Sequence, residues 1–194
     1  EISDISNPHI KLLLESFSND DEFMKKFSRA PAAKKMHHNF VGGLLEHVLN
    51  LIAASKTIQS SHPELDLDLL IAASILHDIG KVDEYDVGLK IEISDQGRFY
   101  GHISIGYRLV ASKIEEISDF PKDLEMKILH IILSHHGEKQ HGSPIEPLFA
   151  EAVAFHNIDK TDANIQNVKQ TVQNDNQNRD WIWDDLQKKF FYKK

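Results

Sequence analysis

Apolar residues return at every third or fourth position through six long stretches of this 194-residue chain. They are IKLLLESF (10–17), GLLEHVLNLIAASKTI (43–58), LDLLIAASILHDI (67–79), HISIGYRLVASKIEEI (102–117), DLEMKILHIILSHH (123–136) and PLFAEAVAFHNIDKTDANI (147–165). That period puts the apolar side chains on one face of a helix, so an all-α bundle is the predicted fold. Glycine and proline punctuate it at Gly42-Gly43, Gly80, DFPKD (119–123) and HGSPIEP (141–147). One segment departs from the helical period. LKIEISDQGRFYGH alternates apolar and polar residues, which predicts a small β-hairpin insertion turning around Asp95-Gln96-Gly97. Gln166 to Asp180 is rich in Asn, Gln and Asp and reads as irregular, before WIWDDLQKKFFYKK supplies aromatics that need a surface to pack on. We therefore divide the chain into a helical domain (1–165) and a polar, then aromatic-basic, C-terminal tail (166–194) packing on it.

Composition narrows the chemistry. There is no cysteine, so disulfides and thiolate metal sites are excluded, while twelve histidines make imidazole and carboxylate ligation the available route to a metal. No apolar run reaches the roughly 18 residues of a membrane span, and the N-terminus lacks the pattern of a secretory signal, so a soluble, cytoplasmic protein is expected. The net charge of −8 opposes coating of nucleic acid by the overall field. A local basic strip, Lys25, Lys26, Arg29, Lys34 and Lys35 followed by His37 and His38, is either a solvated helix face and loop or a guide for a phosphate backbone.

The most informative residues are polar groups at the ends of apolar helices. In SILHDIGKVDE, His77 and Asp78 occupy the last turn, with Gly80 expected to close it in a left-handed conformation. ILSHHGE repeats the arrangement with His135, His136 and Gly137. Unpaired, such groups cost about 1–3 kcal/mol each when buried, and a helix C-terminus favours a cation. His47 lies inside an apolar helix. By itself it reads as a hydrogen-bonded core histidine, and beside His77 and Asp78 as a ligand. His102, after Gly101, is a helix N-cap or a ligand; Asp159 sits among apolar neighbours; Asp162, one turn later, is an outer partner or a surface charge. Together these groups exceed what one four-coordinate structural zinc uses, so two divalent transition-metal ions are expected, and manganese, iron, cobalt, nickel and zinc all suit mixed nitrogen and oxygen ligands.

The order His, His-Asp, distant Asp resembles the HD-domain superfamily of metal-dependent phosphohydrolases, and GHISIG and LSHHG resemble its two-metal branch. PAAKKMHHNFVGGLLEHVL, ILHDIGKVDE, GHISIG, ILSHHGEKQHGSPIEP and FHNIDKTDA together resemble the catalytic half of YhaM-type 3′–5′ exoribonucleases, from about Asn7 to about Ala163. The resemblance implies that His47, His77, Asp78 and Asp159 hold a first metal with Asp78 bridging. His102 and His135 would hold the second, with His136 as a further ligand or close neighbour. It also implies that Lys81 contacts phosphate, with His38 and Arg98 (on the hairpin rim) as weaker substrate-binding candidates. His130 and His156 read as supporting residues, and His9, His62 and His141 as loop residues. That family carries an N-terminal OB-fold gripping single-stranded nucleic acid, and this chain, starting at Glu1, shows none, so such a domain is expected as a missing partner. The expected function is a two-metal phosphodiesterase, a 3′–5′ exonuclease on single-stranded RNA or DNA that uses metal-activated water, with Asp78 and Lys81 at its centre. The alternatives are a phosphohydrolase of nucleoside monophosphates or cyclic nucleotides, and a regulatory nucleic-acid-binding module with structural metals.

Overall fold

The computed structural model describes residues 1–33, 40–175, 179–185 and 187–193, with the side chain of residue 141 left aside. His37, His38, Lys34 and Lys35, which carry part of the basic strip and one substrate-binding candidate, lie outside these residues.

Helices form where the periodic stretches predict them. Helix α1 (Pro8–Ser18) starts with proline in its first turn, and the Asn7 side chain accepts hydrogen bonds from the amides of His9 and Ile10. Helix α2 (Asp21–Phe27) is capped by Asp20, α3 spans Gly43–Ser61, and α4 (Leu67–Leu76) is capped by Asp66. Helix α4 has no polar side: Leu69, Leu70, Ile71, Ala72, Ala73, Ser74 and Leu76 are all buried. A helix apolar all round must be enclosed, and α4 packs against α1, α3, α7 (Lys122–Ser134) and α8 (Ala150–Asn174). Each fully buried Leu or Ile contributes about 1.5–3 kcal/mol. The bundle therefore closes around α4, and the residues at its C-terminal end are delivered to the interior.

After α4 come a four-residue helix α5 (Lys81–Glu84), an antiparallel hairpin of β1 (Tyr85–Val87) and β2 (Ile91–Ile93), and α6 (Asp95–Glu115). The hairpin exists, but its turn is at Gly88-Leu89-Lys90 rather than Asp95-Gln96-Gly97. Ser94 ends the alternation by accepting from the Gly97 amide, which starts a helix. Gly97 serves close packing, since a Cβ there would lie 2.4 Å from the Glu84 carbonyl oxygen. Arg98 consequently sits exposed in the first turns of α6, not on the hairpin.

Gly80 does not close the helix in the left-handed conformation either. Its φ of −65° is right-handed. What demands glycine is proximity: a Cβ would fall 2.0 Å from the His102 carbonyl oxygen and 2.5 Å from the Gly106 nitrogen. Gly137 does adopt the left-handed conformation, at φ 81°. The Asn/Gln-rich run is not irregular at its start, because α8 continues to Asn174. Glutamine is a good helix former, and a second hairpin, β3 (Trp181–Asp184) with β4 (Lys189–Tyr192), packs on that extension, where Thr171 donates to Asp184.

Candidate metal centre

His77 ends α4 and Asp78 follows it, both buried, at the point where α3, α6, α7 and α8 also converge. His47 comes from α3, His102 from α6, His135 and His136 from the end of α7, and Asp159 from α8. Two groups form. The ligand atoms of His47, His77 and Asp159 lie within 4.8 Å of one another, and so do those of His102, His135 and His136. Asp78 stands between them: its Oδ2 is 3.1 Å from His77 Nε2, while its Oδ1 is 3.4 Å from His102 Nε2 and 3.6 Å from His135 Nε2.

Each of four histidines has its Nδ1 engaged on the outside, which turns Nε2 inward. His77 Nδ1 is 3.2 Å from the carbonyl oxygens of Ala73 and Ser74, and His135 Nδ1 is 2.8 Å from that of Ile132. A carbonyl only accepts, so these Nδ1 atoms carry a proton, and Nε2 is the ring nitrogen left to face inward. His47 Nδ1 meets Asp162 Oδ2 at 2.7 Å, and Asn50 donates to the other oxygen. His102 Nδ1 meets Glu84 Oε1 at 3.1 Å. Backbone carbonyls and carboxylates behind a ring are the outer partners that fix a metal-binding imidazole. Asp162 is thus an outer partner rather than a surface charge.

The inner atoms are left over. Among the described residues, Nε2 of His77, His102 and His135 and Oδ1 of Asp78 are buried without a hydrogen bond. Four such atoms converging in one place cost about 1–3 kcal/mol each unless something satisfies them. A nitrogen and oxygen donor set of this kind suits a divalent ion.

Electrostatics agree with that donor set. Burial pushes the Asp78 carboxyl up, but Lys81, His77 and His102 outweigh it and hold it well below the usual range. Asp159 is lowered against burial by His47 and His77, and Glu84 against burial by His102. Burial keeps His135 well below the ordinary histidine value, with His136 adding to the effect, and His136 itself is lowered by burial. Both offer neutral rings. His47 differs: burial lowers it, yet Asp159 and Asp162 more than compensate and raise it to about 9. In the metal-free chain its folded value thus lies above the ordinary 6.5. The stability that its imidazolium contributes is full below about 6.5 and lost as pH rises through about 9. NMR titration of metal-free protein should find this midpoint, and Asp162→Asn should move it down toward 6.5. An unmoved midpoint would show that Asp162 does not hold the ring.

Lys81 is buried and donates to Asp78 Oδ2. It lines, with Asp78, His135, His136 and Asp159, a cavity of about 560 Å³ whose outer wall is Lys160, Ala163, Asn164, Asn167 and Gln187. Arg98 is not among the lining residues. His156 donates from Nδ1 to the His135 carbonyl oxygen, and His130 accepts the Leu148 amide. Lys25, Lys26 and Arg29 border a different groove beside the first hairpin, shared with Glu22, Asp83, Asp86 and Asp95, and Lys26 pairs with Asp83 at 3.2 Å. Sequence reading missed Glu84. It accepts from both the backbone amide and Nδ1 of His102, and the amide is free to donate because Gly101, at φ 66° and ψ 157°, breaks α6 just before it. Nothing in KVDE separates Glu84 from Asp83.

A helical bundle whose central helix ends in a buried His-Asp pair facing further histidines and a distant aspartate defines the class, and the chain belongs to the HD domain family, which it matches over residues 44–164. It is 38% identical over 164 residues to the 3′-5′ exoribonuclease YhaM of Bacillus licheniformis and 37% identical over 162 residues to that of Bacillus pumilus. Each alignment covers 84% of this chain and 51% of the relative, so the chain spans about half the length of the curated relatives it matches. No solved structure gives a significant match. No helix among the described residues is long and apolar enough to cross a membrane.

Proposed function

We propose that this chain is a metal-dependent phosphodiesterase that removes nucleotides from the 3′ end of single-stranded RNA or DNA. The observation that carries the reading is the position of Asp78, one carboxylate reaching a member of each histidine group, with four inward atoms unsatisfied. His47, His77 and Asp159 would hold one divalent ion, His102, His135 and His136 a second, and Asp78 would serve both. Such ions supply an activated water and Lewis-acid stabilisation of a phosphoryl group. The curated relatives, named as 3′-5′ exoribonucleases, support this substrate class.

The protein's own groups do the rest. Lys81, buried beside Asp78 and lining the cavity, offsets negative charge that grows on phosphoryl oxygens, where a preorganised donor acts without reorganising water. Glu84 and Asp162 hold the His102 and His47 rings in orientation. Phe155, fully buried with its ring 5.1 Å from that of His77, keeps water from the inner side. Lys160, Asn164 and Asn167 stand at the outer wall, where the remainder of a strand would pass. A cavity of about 560 Å³ is also of a size to take a single nucleotide, which keeps a nucleotide phosphohydrolase as the second reading.

Elemental analysis tests the metal set. The fully loaded protein should hold about two transition-metal ions per chain, and replacing His102 and His135 together should leave about one. A wild-type value that stays at one under metal excess contradicts the two-ion site. Hydrolysis by the loaded protein of a 3′-labelled single strand, compared with a panel of mononucleotides and cyclic nucleotides, decides between the two substrate classes.

A further inference from the structure

The β3–β4 hairpin has two unlike faces. Ile182 and Asp184 turn inward and are buried, with Asp184 held by Thr171 of α8. The opposite face carries Trp181, Trp183, Phe190 and Tyr192, which are 57, 42, 59 and 52% exposed. Register makes them two cross-strand pairs, Trp181 with Tyr192 and Trp183 with Phe190. The ring centroids are 5.1 and 5.0 Å apart and the planes are tilted by 50° and 66°, so ring faces remain open to solvent. Aromatic burial is a large stabilising term that this face forgoes.

Two features say what covers it. The turn of the hairpin reaches the metal cavity, since Gln187 forms part of its wall together with Lys160, Asn164 and Asn167. Phe190 is three residues further along, across the turn, so it lies at most about 10 Å away. The segment is also locally basic in sequence within a chain of net charge −8, with Arg179, Lys188, Lys189 and Lys193 in its described part, of which Arg179 and Lys193 pair with Asp175 and Lys188 with Asp185. Exposed aromatic rings are one means by which proteins grip single strands without sequence preference, because every base has a face to stack.

We propose that the outward aromatic face of the C-terminal hairpin is a base-stacking platform for single-stranded nucleic acid, placed to feed a strand end past Gln187 into the metal cavity. It deepens the reading of the cavity as a phosphodiesterase site and rests on that reading for its purpose, though not for its detection. The platform explains how a chain of net negative charge holds a strand: stacking on the four rings supplies the grip. A duplex, whose bases are already stacked, has little to offer it, and a dinucleotide in the cavity is too short to span to Phe190 and beyond.

The chain has two tryptophans, and both lie on this face, so intrinsic fluorescence reports it directly. Metal-loaded protein is titrated with a ten-nucleotide single strand whose 3′ linkages are phosphorothioates that resist hydrolysis. Saturable quenching is expected, absent with the corresponding duplex, with a dinucleotide and with inorganic polyphosphate. Replacing Phe190 or Tyr192 by alanine should weaken the strand's affinity about tenfold each, and Trp181 and Trp183 likewise when followed by anisotropy of a labelled strand. Hydrolysis of a small chromogenic phosphodiester should be unchanged in all four. No quenching, or a fourfold variant that binds the strand as wild type does, overturns the proposal. So does sedimentation showing that the fourfold variant converts a dimer to a monomer with unaltered strand affinity, which would assign the face to a second copy of this chain. The wild-type titration depends on no variant folding. Quenching without any phosphodiester hydrolysis would defeat the enzymatic reading alone, and hydrolysis without quenching would defeat the platform alone.

Discussion

Asp78→Asn is expected to reduce phosphodiester hydrolysis by at least about 10³-fold while leaving the helical circular dichroism intact. The asparagine keeps an oxygen to accept from Lys81, so the buried ammonium retains a partner and the end of α4 keeps its shape. What disappears is the negative charge on which both histidine groups converge. Alanine would be a poorer test, because stranding Lys81 in the interior adds a penalty of about 3–5 kcal/mol unrelated to catalysis. Activity and metal content should fall together at unchanged ellipticity. Substantial hydrolysis by the variant at saturating metal would remove Asp78 from the centre of the mechanism.

Gly80→Ala should be the most damaging small substitution outside the ligands. Its new methyl would lie 2.0 Å from one backbone atom of α6 and 2.5 Å from another, where ordinary contact starts at 3.4 Å. Neither atom belongs to a side chain that can turn away, so α6 must retreat by more than an ångström. Overpacking of this kind costs about 1–3 kcal/mol, and more where backbone must move. At the roughly 2–4 °C per kcal/mol typical of a chain this size, the melting temperature should drop by several degrees. His102 rides on the displaced segment, so the His102, His135 and His136 group should open and metal content should fall. Gly88→Ala is the control, since nothing lies within 4 Å of the methyl it adds. A Gly80→Ala protein with normal melting and full metal content would mean that α6 does not depend on this contact.

The helices and the inward-facing histidines and aspartates were legible because both break a rule that sequence displays directly. Periodicity of 3.6 marks a buried face, and a histidine or aspartate at a buried position stands out against it, as His47, His77 and Asp159 do. The residues that hold the ligands in place break no such rule. Glu84 lies in a charged tetrapeptide, and only the approach of a chain segment eighteen residues away makes it different from Asp83. Gly80 was visible as a glycine, but its reason is a helix crossing, which no local window contains. The hairpin turn was misplaced for a related cause: Asp95-Gln96-Gly97 has turn chemistry, and Ser94 uses that same chemistry to cap a helix. The extension of α8 through Asn- and Gln-rich sequence depends on the second hairpin packing against it, a tertiary contact that overrides weak local preference.

The ligand atoms are gathered from His47 to Asp159, and the anchors of the first group alone lie more than a hundred residues apart along the chain. Helices form locally within about a microsecond, whereas bringing such distant segments together must wait for the bundle to close. An ion arriving early would find single histidines of ordinary, weak affinity; the complete set exists only once α4 is enclosed. The apolar core contains none of these groups, so the helical fold is expected to form without an ion. In the metal-free chain Lys81 pairs with Asp78, and His47, whose pKa is raised, lies 3.1 Å from Asp159. A chelator should accordingly return the chain to a folded, empty receptor that is ready to be refilled, unlike a zinc finger, which unravels when its ion leaves.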